Sequence, residues 1–128
     1  MQFYSTNRKT SPVSLREAVV RGLAADRGLF MPEVIRRFPP AFYQNMKEMT
    51  LREISFVVAE AFFGEDVEAG KLKEIVDETL NFDIPLVKVA DNRYSLELFH
   101  GPTLAFKDVG ARFMARLLAY FNKQEGER

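Results

Sequence analysis

His100-Gly101-Pro102-Thr103-Leu104-Ala105-Phe106-Lys107-Asp108-Val109-Gly110 reads as a loop running straight into a helix. From Phe106 onward, Phe106, Val109, Gly110, Phe113, Met114, Leu117, Leu118 and Phe121 recur at the three-and-four spacing of an amphipathic helix, which predicts a helix from Phe106 to Asn122. Projected at about 100° per residue, Asp108, Arg112, Arg116 and Lys123 fall on a polar side, whereas Lys107 falls inside the apolar arc between Met114 and Leu118. The lysine also lies in the first turn, where the backbone amides carry partial positive charge. Burial and the helix end would both favour the neutral amine over the ammonium.

A desolvated neutral amine is what Schiff-base chemistry with a carbonyl compound requires, because only the neutral form attacks carbon. The alternative is structural: a lysine at the edge of an apolar stripe buries its stem and lets the ammonium reach water. The loop before it favours the chemical reading. The chain's only histidine, a Gly-Pro pair and Thr103 are packed into His100 to Thr103, directly after the alternating run Tyr94-Ser95-Leu96-Glu97-Leu98-Phe99. Gly101 frees the backbone and Pro102 stiffens it, so a strand gives way to a helix over a short shaped turn, with Thr103 as a candidate first-turn cap.

The run Leu96-Glu97-Leu98-Phe99-His100-Gly101-Pro102-Thr103-Leu104-Ala105-Phe106-Lys107-Asp108 resembles the cofactor-lysine segment of the threonine synthase family. The resemblance extends to the amino end, through Tyr4-Ser5-Thr6-Asn7, Val13-Ser14-Leu15-Arg16-Glu17-Ala18 and Gly28-Leu29-Phe30-Met31-Pro32-Glu33. It implies a pyridoxal-phosphate enzyme of the fold type shared with the tryptophan synthase β subunit, in which Lys107 binds the cofactor as a Schiff base and serves as the catalytic base. The implied reaction is that of a carbon-oxygen lyase acting on a phosphate ester, converting O-phosphohomoserine and water to threonine and phosphate. Phe106, Asp108, Thr103 and His100 are the supporting candidates around the cofactor. Phe106 is read as packing and Asp108 as either a helix-start anion or a solvated first-turn carboxylate. His100 invites a general-base role, although its place beside Gly-Pro fits a loop-shaping hydrogen-bonder better. Two positions depart from the family pattern: Arg27 stands where glycine is expected before Gly28, and Val109 where phenylalanine is frequent.

With 128 residues, 47% hydrophobic and 28% charged, the sequence is that of a globular chain of one domain, or one small domain and part of another. Eighteen basic residues balance eighteen acidic ones, so the positive field that nucleic-acid binding needs is missing. The absence of cysteine excludes disulfides and thiolate zinc sites, and one histidine makes a histidine metal cluster unexpected. No apolar run approaches the ~20 residues of a membrane span, and the start has no signal-like segment. A cytoplasmic chain with neither nucleic-acid nor membrane partners is expected.

Along the chain, Gln2 to Thr6 reads as an edge strand ended by a turn at Thr10-Ser11-Pro12. Ser14 with Glu17 forms a capping-box pattern ahead of a helix whose stripe is Leu15, Ala18, Val19 and Leu23. Asp26-Arg27-Gly28 is a turn into Leu29-Phe30-Met31, and Pro32 bars that run from a central strand. Pro39-Pro40 opens a short helix through Met46. Thr50 with Glu53 is a second capping box, heading a helix with Ile54, Val57, Val58, Ala61 and Phe62 on one face and Gly64 at its end. Asp66 is the expected cap of the next helix, striped by Leu72, Ile75, Val76, Thr79 and Leu80, and the two helices should pack as an antiparallel pair. Phe56, Phe62 and Phe63 could suggest a cofactor pocket, but their spacing is explained by core filling. Leu86-Val87-Lys88-Val89 and Tyr94 to Leu98 alternate around Asp91-Asn92 as a β-hairpin. The polar end from Lys123 to Arg128 is of the kind that frays.

A pyridoxal-phosphate site also needs a cradle of backbone amides for its phosphate, usually glycine-rich and at a helix start. The seven glycines here are scattered, with no Gly-x-Gly pair. The expectation is therefore an α+β fragment, the amino-terminal part of a longer enzyme and inactive alone. Residues 1–83 would form a mainly helical amino-terminal domain with short edge strands. Residues 84–128 would form a β-hairpin and the first helix of an α/β pyridoxal-phosphate domain, with a risk of self-association through uncovered apolar surface. The other readings are a non-catalytic helical docking module over 1–83, or another lyase of the same cofactor fold type.

Overall fold

The computed structural model describes residues 1–126, with side chains described through Lys123. It is a mixed α/β chain of five α-helices and two small sheets. The expected fraying of the polar end falls almost wholly outside the described side chains.

Strand β1 (Gln2–Ser5) pairs antiparallel with β2 (Val13–Ser14) on one side and β3 (Phe30–Pro32) on the other, giving the order β2-β1-β3. The amino-terminal strand is thus central, correcting the edge-strand expectation. Its aromatic, β-prone residues indicated the strand, but with β2 only two residues long nothing in the sequence showed that it would be flanked on both sides. Pro32 sits on an outer strand, where its missing amide costs no ladder bond.

Helix α1 (Leu15–Arg21) is capped by Ser14, whose hydroxyl accepts from the Glu17 amide at 3.2 Å. The Glu17 carboxylate pairs with Arg21 at 3.0 Å rather than closing a capping box. Gly22 takes φ +72 and ends the helix, so Leu23 falls outside the stripe and is exposed while Leu15, Ala18 and Val19 are buried. A proline-opened helix α2 (Pro40–Asn45) runs into a 3-10 turn at Met46–Glu48.

Helix α3 (Leu51–Phe63) carries the full capping box: the Glu53 amide donates to the Thr50 hydroxyl at 3.3 Å and the Thr50 amide donates to the Glu53 carboxylate at 2.7 Å. Its expected apolar face is only half-buried, and Ala59 is its one fully buried residue. Helix α4 (Ala69–Thr79) buries Leu72, Ile75, Val76 and Thr79, with Leu80 just beyond. Its cap is Glu68, accepting from the Gly70 and Lys71 amides, and not Asp66, whose carboxylate is instead bonded to the Met1 amine at 3.1 Å. Arg52 at the start of α3 donates to the Leu80 carbonyl at the end of α4, which fixes the pair as antiparallel.

Strands β4 (Leu86–Ala90) and β5 (Arg93–Leu96) make the expected hairpin, with Asn92 at φ +56 in the Asp91-Asn92 turn. Helix α5 (Lys107–Gly126) packs on α1 and α4. Its Leu117 and Phe121 join Phe3, Leu15, Val19, Leu72 and Val76 in one core, and Phe113 meets Phe63 with ring centroids 5.3 Å apart. The amino-terminal helices therefore cover this face of α5, although Met114 at its margin is exposed. No helix among the described residues is long and apolar enough to cross a membrane.

Candidate active site

The loop from His100 to Phe106 is built by a carboxylate reaching backwards. Asp108, in the first turn of α5, is 2% exposed, and its Oδ2 accepts from the Thr103 amide at 2.9 Å. Gly101 is buried against it: a Cβ at that position would lie 2.5 Å from the same Oδ2. The loop closes on itself through the Leu104 amide to the Gly101 carbonyl at 3.0 Å and the Asp108 amide to the Ala105 carbonyl at 3.0 Å, with Leu104 at φ +56.

This arrangement corrects three expectations. Asp108 is not on a solvated polar side, because the preceding loop folds over it; nine residues on, Leu117 lies about 180° around the helix, so loop and core bury opposite faces of α5. Thr103 does not cap the helix with its hydroxyl. Its backbone is the donor, and the side chain is exposed. Phe106 does not pack: the helix begins one residue later, at Lys107, and the residue is 65% exposed.

Lys107 itself is exposed and makes no hydrogen bond or ion pair with a described residue. The expected burial fails for a geometric reason. Periodicity gives the lysine's angular position, but the core covers α5 along Val109, Phe113, Leu117 and Phe121, and Met114 and Lys107 stand exposed beside that stripe. What results is the alternative disposition, an amine that reaches water from the margin of an apolar stripe.

His100 is shaped as a loop residue. Its Nε2 is 2.7 Å from the Glu97 carboxylate, and its ring lies 4.7 Å from that of Phe99. The histidine lines a concavity shared with Arg52, Asn81 and Asp83, and Lys107 does not line it. A second, apolar cleft of about 670 Å³ runs between α1, α3 and α5, bordered by Phe3, Leu15, Phe62, Phe63, Phe113 and Leu117. The aromatic surplus thus partly fills the core and partly walls this cleft. No charged side chain lines it, so it offers nothing to a phosphate.

The residues suit the aldehyde end of pyridoxal phosphate and not its phosphate end. A solvent-reachable amine stands at a helix start, but one first-turn amide of α1, one of α3 and two of α4 are already held by Ser14, Thr50 and Glu68 of the same chain.

One polar cluster escaped the sequence reading. Asp26 accepts from the Ser5 hydroxyl at 2.6 Å, the Lys9 amide at 2.9 Å and the Gly28 amide at 3.0 Å, and these bonds, the Ser5 hydroxyl first, hold its carboxyl below the ordinary range. A Cβ at Gly28 would lie 2.0 Å from the Ser5 oxygen, so glycine is required there. Arg27 takes φ +67, the left-handed region that favours glycine, at the position where the sequence departs from the family pattern. The cluster joins two of the quoted amino-end segments, Tyr4 to Asn7 and Gly28 onward, and that juxtaposition was its only available signal.

Comparison with known proteins gives a consistent result. A family model described as the threonine synthase N terminus matches residues 2–80. The threonine synthase of Serratia marcescens is 40% identical over 119 residues, covering 93% of this chain and 28% of that protein. The crystal structure of threonine synthase from Escherichia coli superposes with a TM-score of 0.88 at 35% identity, over 95% of this chain and 28% of that one. The PLP-bound threonine synthase from Brucella melitensis superposes with a TM-score of 0.92 at 34% identity, over 100% of this chain and 29% of that one. The chain spans somewhat more than a quarter of the length of these relatives, and by the match over residues 2–80 it belongs to the threonine synthase family.

Proposed function

We propose that these residues serve the pyridoxal-phosphate-dependent conversion of O-phosphohomoserine and water to threonine and phosphate, in a protein of the length of the relatives. The observation that carries this reading is the family match over residues 2–80 together with the Phe106-Lys107-Asp108 triplet at the start of α5. In this reading residues 1–83 are an amino-terminal domain and residues 84–128 open the cofactor domain. The exposed hairpin supports a boundary at Asp83 to Pro85, although α5 packs back on α1 and α4.

When bound, the cofactor supplies an electron sink for charge developing at the substrate carbons. Lys107 would hold it covalently through Nζ, and the same nitrogen would be the group that accepts and returns protons at substrate carbon. The clasped loop sets where that nitrogen starts, and His100, bonded to Glu97, shapes the loop. In this reading, phosphate binding belongs to the part of the relatives' length that this chain does not span.

Phosphate and threonine release from O-phosphohomoserine by the full-length protein tests the reading. Lys107→Ala should lower kcat by on the order of a thousandfold or more, and the 128-residue chain alone should be inactive. Full activity of Lys107→Ala, or a product other than threonine, overturns it; the latter outcome would favour a different lyase of the same cofactor fold type.

A further inference from the structure

A carboxylate next to the reactive lysine in sequence is expected at the surface of the first turn. Here it is buried, and what it touches is the loop that leads to that lysine. The Thr103 amide is held by Asp108 Oδ2 at 2.9 Å, and Gly101 is so close that any Cβ would meet the carboxylate oxygen at 2.5 Å, the Asp108 Cβ at 2.8 Å and its Cγ at 2.9 Å. Glycine is thus required at 101 by contact, since it is not among the glycines at positive φ. Leu104 is held left-handed although it is branched and 76% exposed, so the loop's shape is not set by burying its own side chains. The Asp108 clasp, the Gly101 contact and the turn bonds from Leu104 and Asp108 are what hold it.

We propose that Asp108 is a positioning residue for Lys107. The carboxylate locks the segment 101–106 onto the first turn of α5, so the lysine's backbone is fixed from both sides while its side chain stays free to reach a carbonyl compound. The proposal rests on Lys107 being the cofactor amine. Asp108 touches neither the Lys107 amine nor any described concavity and acts through the backbone alone.

Two variants separate positioning from mere folding. Asp108→Ala removes the acceptor, whereas Asp108→Asn keeps a side-chain oxygen that can still accept from Thr103. In the 128-residue chain, exchange of the Thr103 amide followed by nuclear magnetic resonance should quicken by about tenfold or more in Asp108→Ala and stay within about threefold in Asp108→Asn. The Lys71 amide, held by Glu68, is the internal control and should not change. Should the alanine variant not fold, Gly101→Ala drives a methyl onto the same carboxylate without removing it and should expose Thr103 alike. In the full-length protein, the fraction of borohydride-trapped pyridoxal phosphate found on Lys107 should fall several-fold in Asp108→Ala or Gly101→Ala and recover in Asp108→Asn. Unchanged Thr103 exchange in the variants, or an unchanged Lys107 fraction despite faster exchange, overturns the proposal. Absence of label on Lys107 in the unaltered full-length protein would instead sink the cofactor assignment on which it rests, with the Thr103 exchange still reporting on the clasp itself.

Discussion

Residues 2–80 and residues 84–106 place their apolar side chains in opposite ways. In the first region Leu15, Val19, Leu72, Ile75 and Val76 converge, with α5 closing over them, into a single core. In the second, Leu86, Val89, Tyr94, Leu96, Phe99, Leu104 and Phe106 all stand exposed on a hairpin and loop whose backbone bonds are nonetheless well formed. Local signals suffice to shape both. Only the first has a core of its own, although Leu29, Val34, Ile35 and Tyr43 stand exposed there too, and an uncovered apolar face of the hairpin's extent is where protein or a second copy would pack.

The sharpest way to break this contrast is a matched pair of truncations. Leu72→Ala, at a side chain with no exposure, should cost about 2–5 kcal/mol in urea unfolding. Leu96→Ala, at 58% exposed, should stay within about 0.5 kcal/mol. Comparable losses at both sites would mean that the hairpin is covered in solution. Next in size is the cap of α3: Thr50→Ala removes one half of a reciprocal pair and should cost about 1 kcal/mol, leaving the chemistry of the full-length protein intact. Activity loss beyond what unfolding explains would place Thr50 in the active site instead.

Arg27→Gly should move stability the other way. Arginine at φ +67 carries a left-handed penalty that glycine avoids, while glycine's freer unfolded state offsets part of the gain, so the net should be under about 1 kcal/mol of stabilisation. A loss on this substitution would show that the arginine side chain contributes more than its backbone costs.

The smallest effect is with pH, and it belongs to the first region, where Asp26, Glu53 and Glu68 all have lowered pKa values because hydroxyls and backbone amides donate to them. A lowered folded value means stability that is complete above the ordinary value, 3.8 for Asp26 and 4.5 for the glutamates, and is lost as pH falls through the lowered one. The urea midpoint should fall on acidification to about pH 3, and Asp26→Asn should narrow that fall. An equal fall in the asparagine variant would remove Asp26 from the account.

Much of the first region was legible because its signals are local. Thr50 and Glu53 sit three apart and cap as that spacing predicts, and Leu72, Ile75, Val76 and Thr79 bury as their period requires. Failures arose where a side chain's partner lies across a turn. Asp66 is the cap expected from sequence, but α4 starts at Ala69 and is capped by Glu68, while the Asp66 carboxylate bonds the Met1 amine. Around the candidate site the limit was more basic. Periodicity placed Lys107 and Asp108 about 100° apart on a helix, but it could not say that a loop would fold over the aspartate while the lysine's side stayed open.

The central claim is that Lys107 is the cofactor amine of a threonine synthase. Loading the full-length protein with pyridoxal phosphate, reducing it with borohydride and mapping the modified peptide tests this directly. The account predicts label on Lys107 alone in that protein, and weak label spread over several lysines in the 128-residue chain, which has no phosphate cradle among its described residues. Selective label on any other lysine of the full-length protein would contradict it.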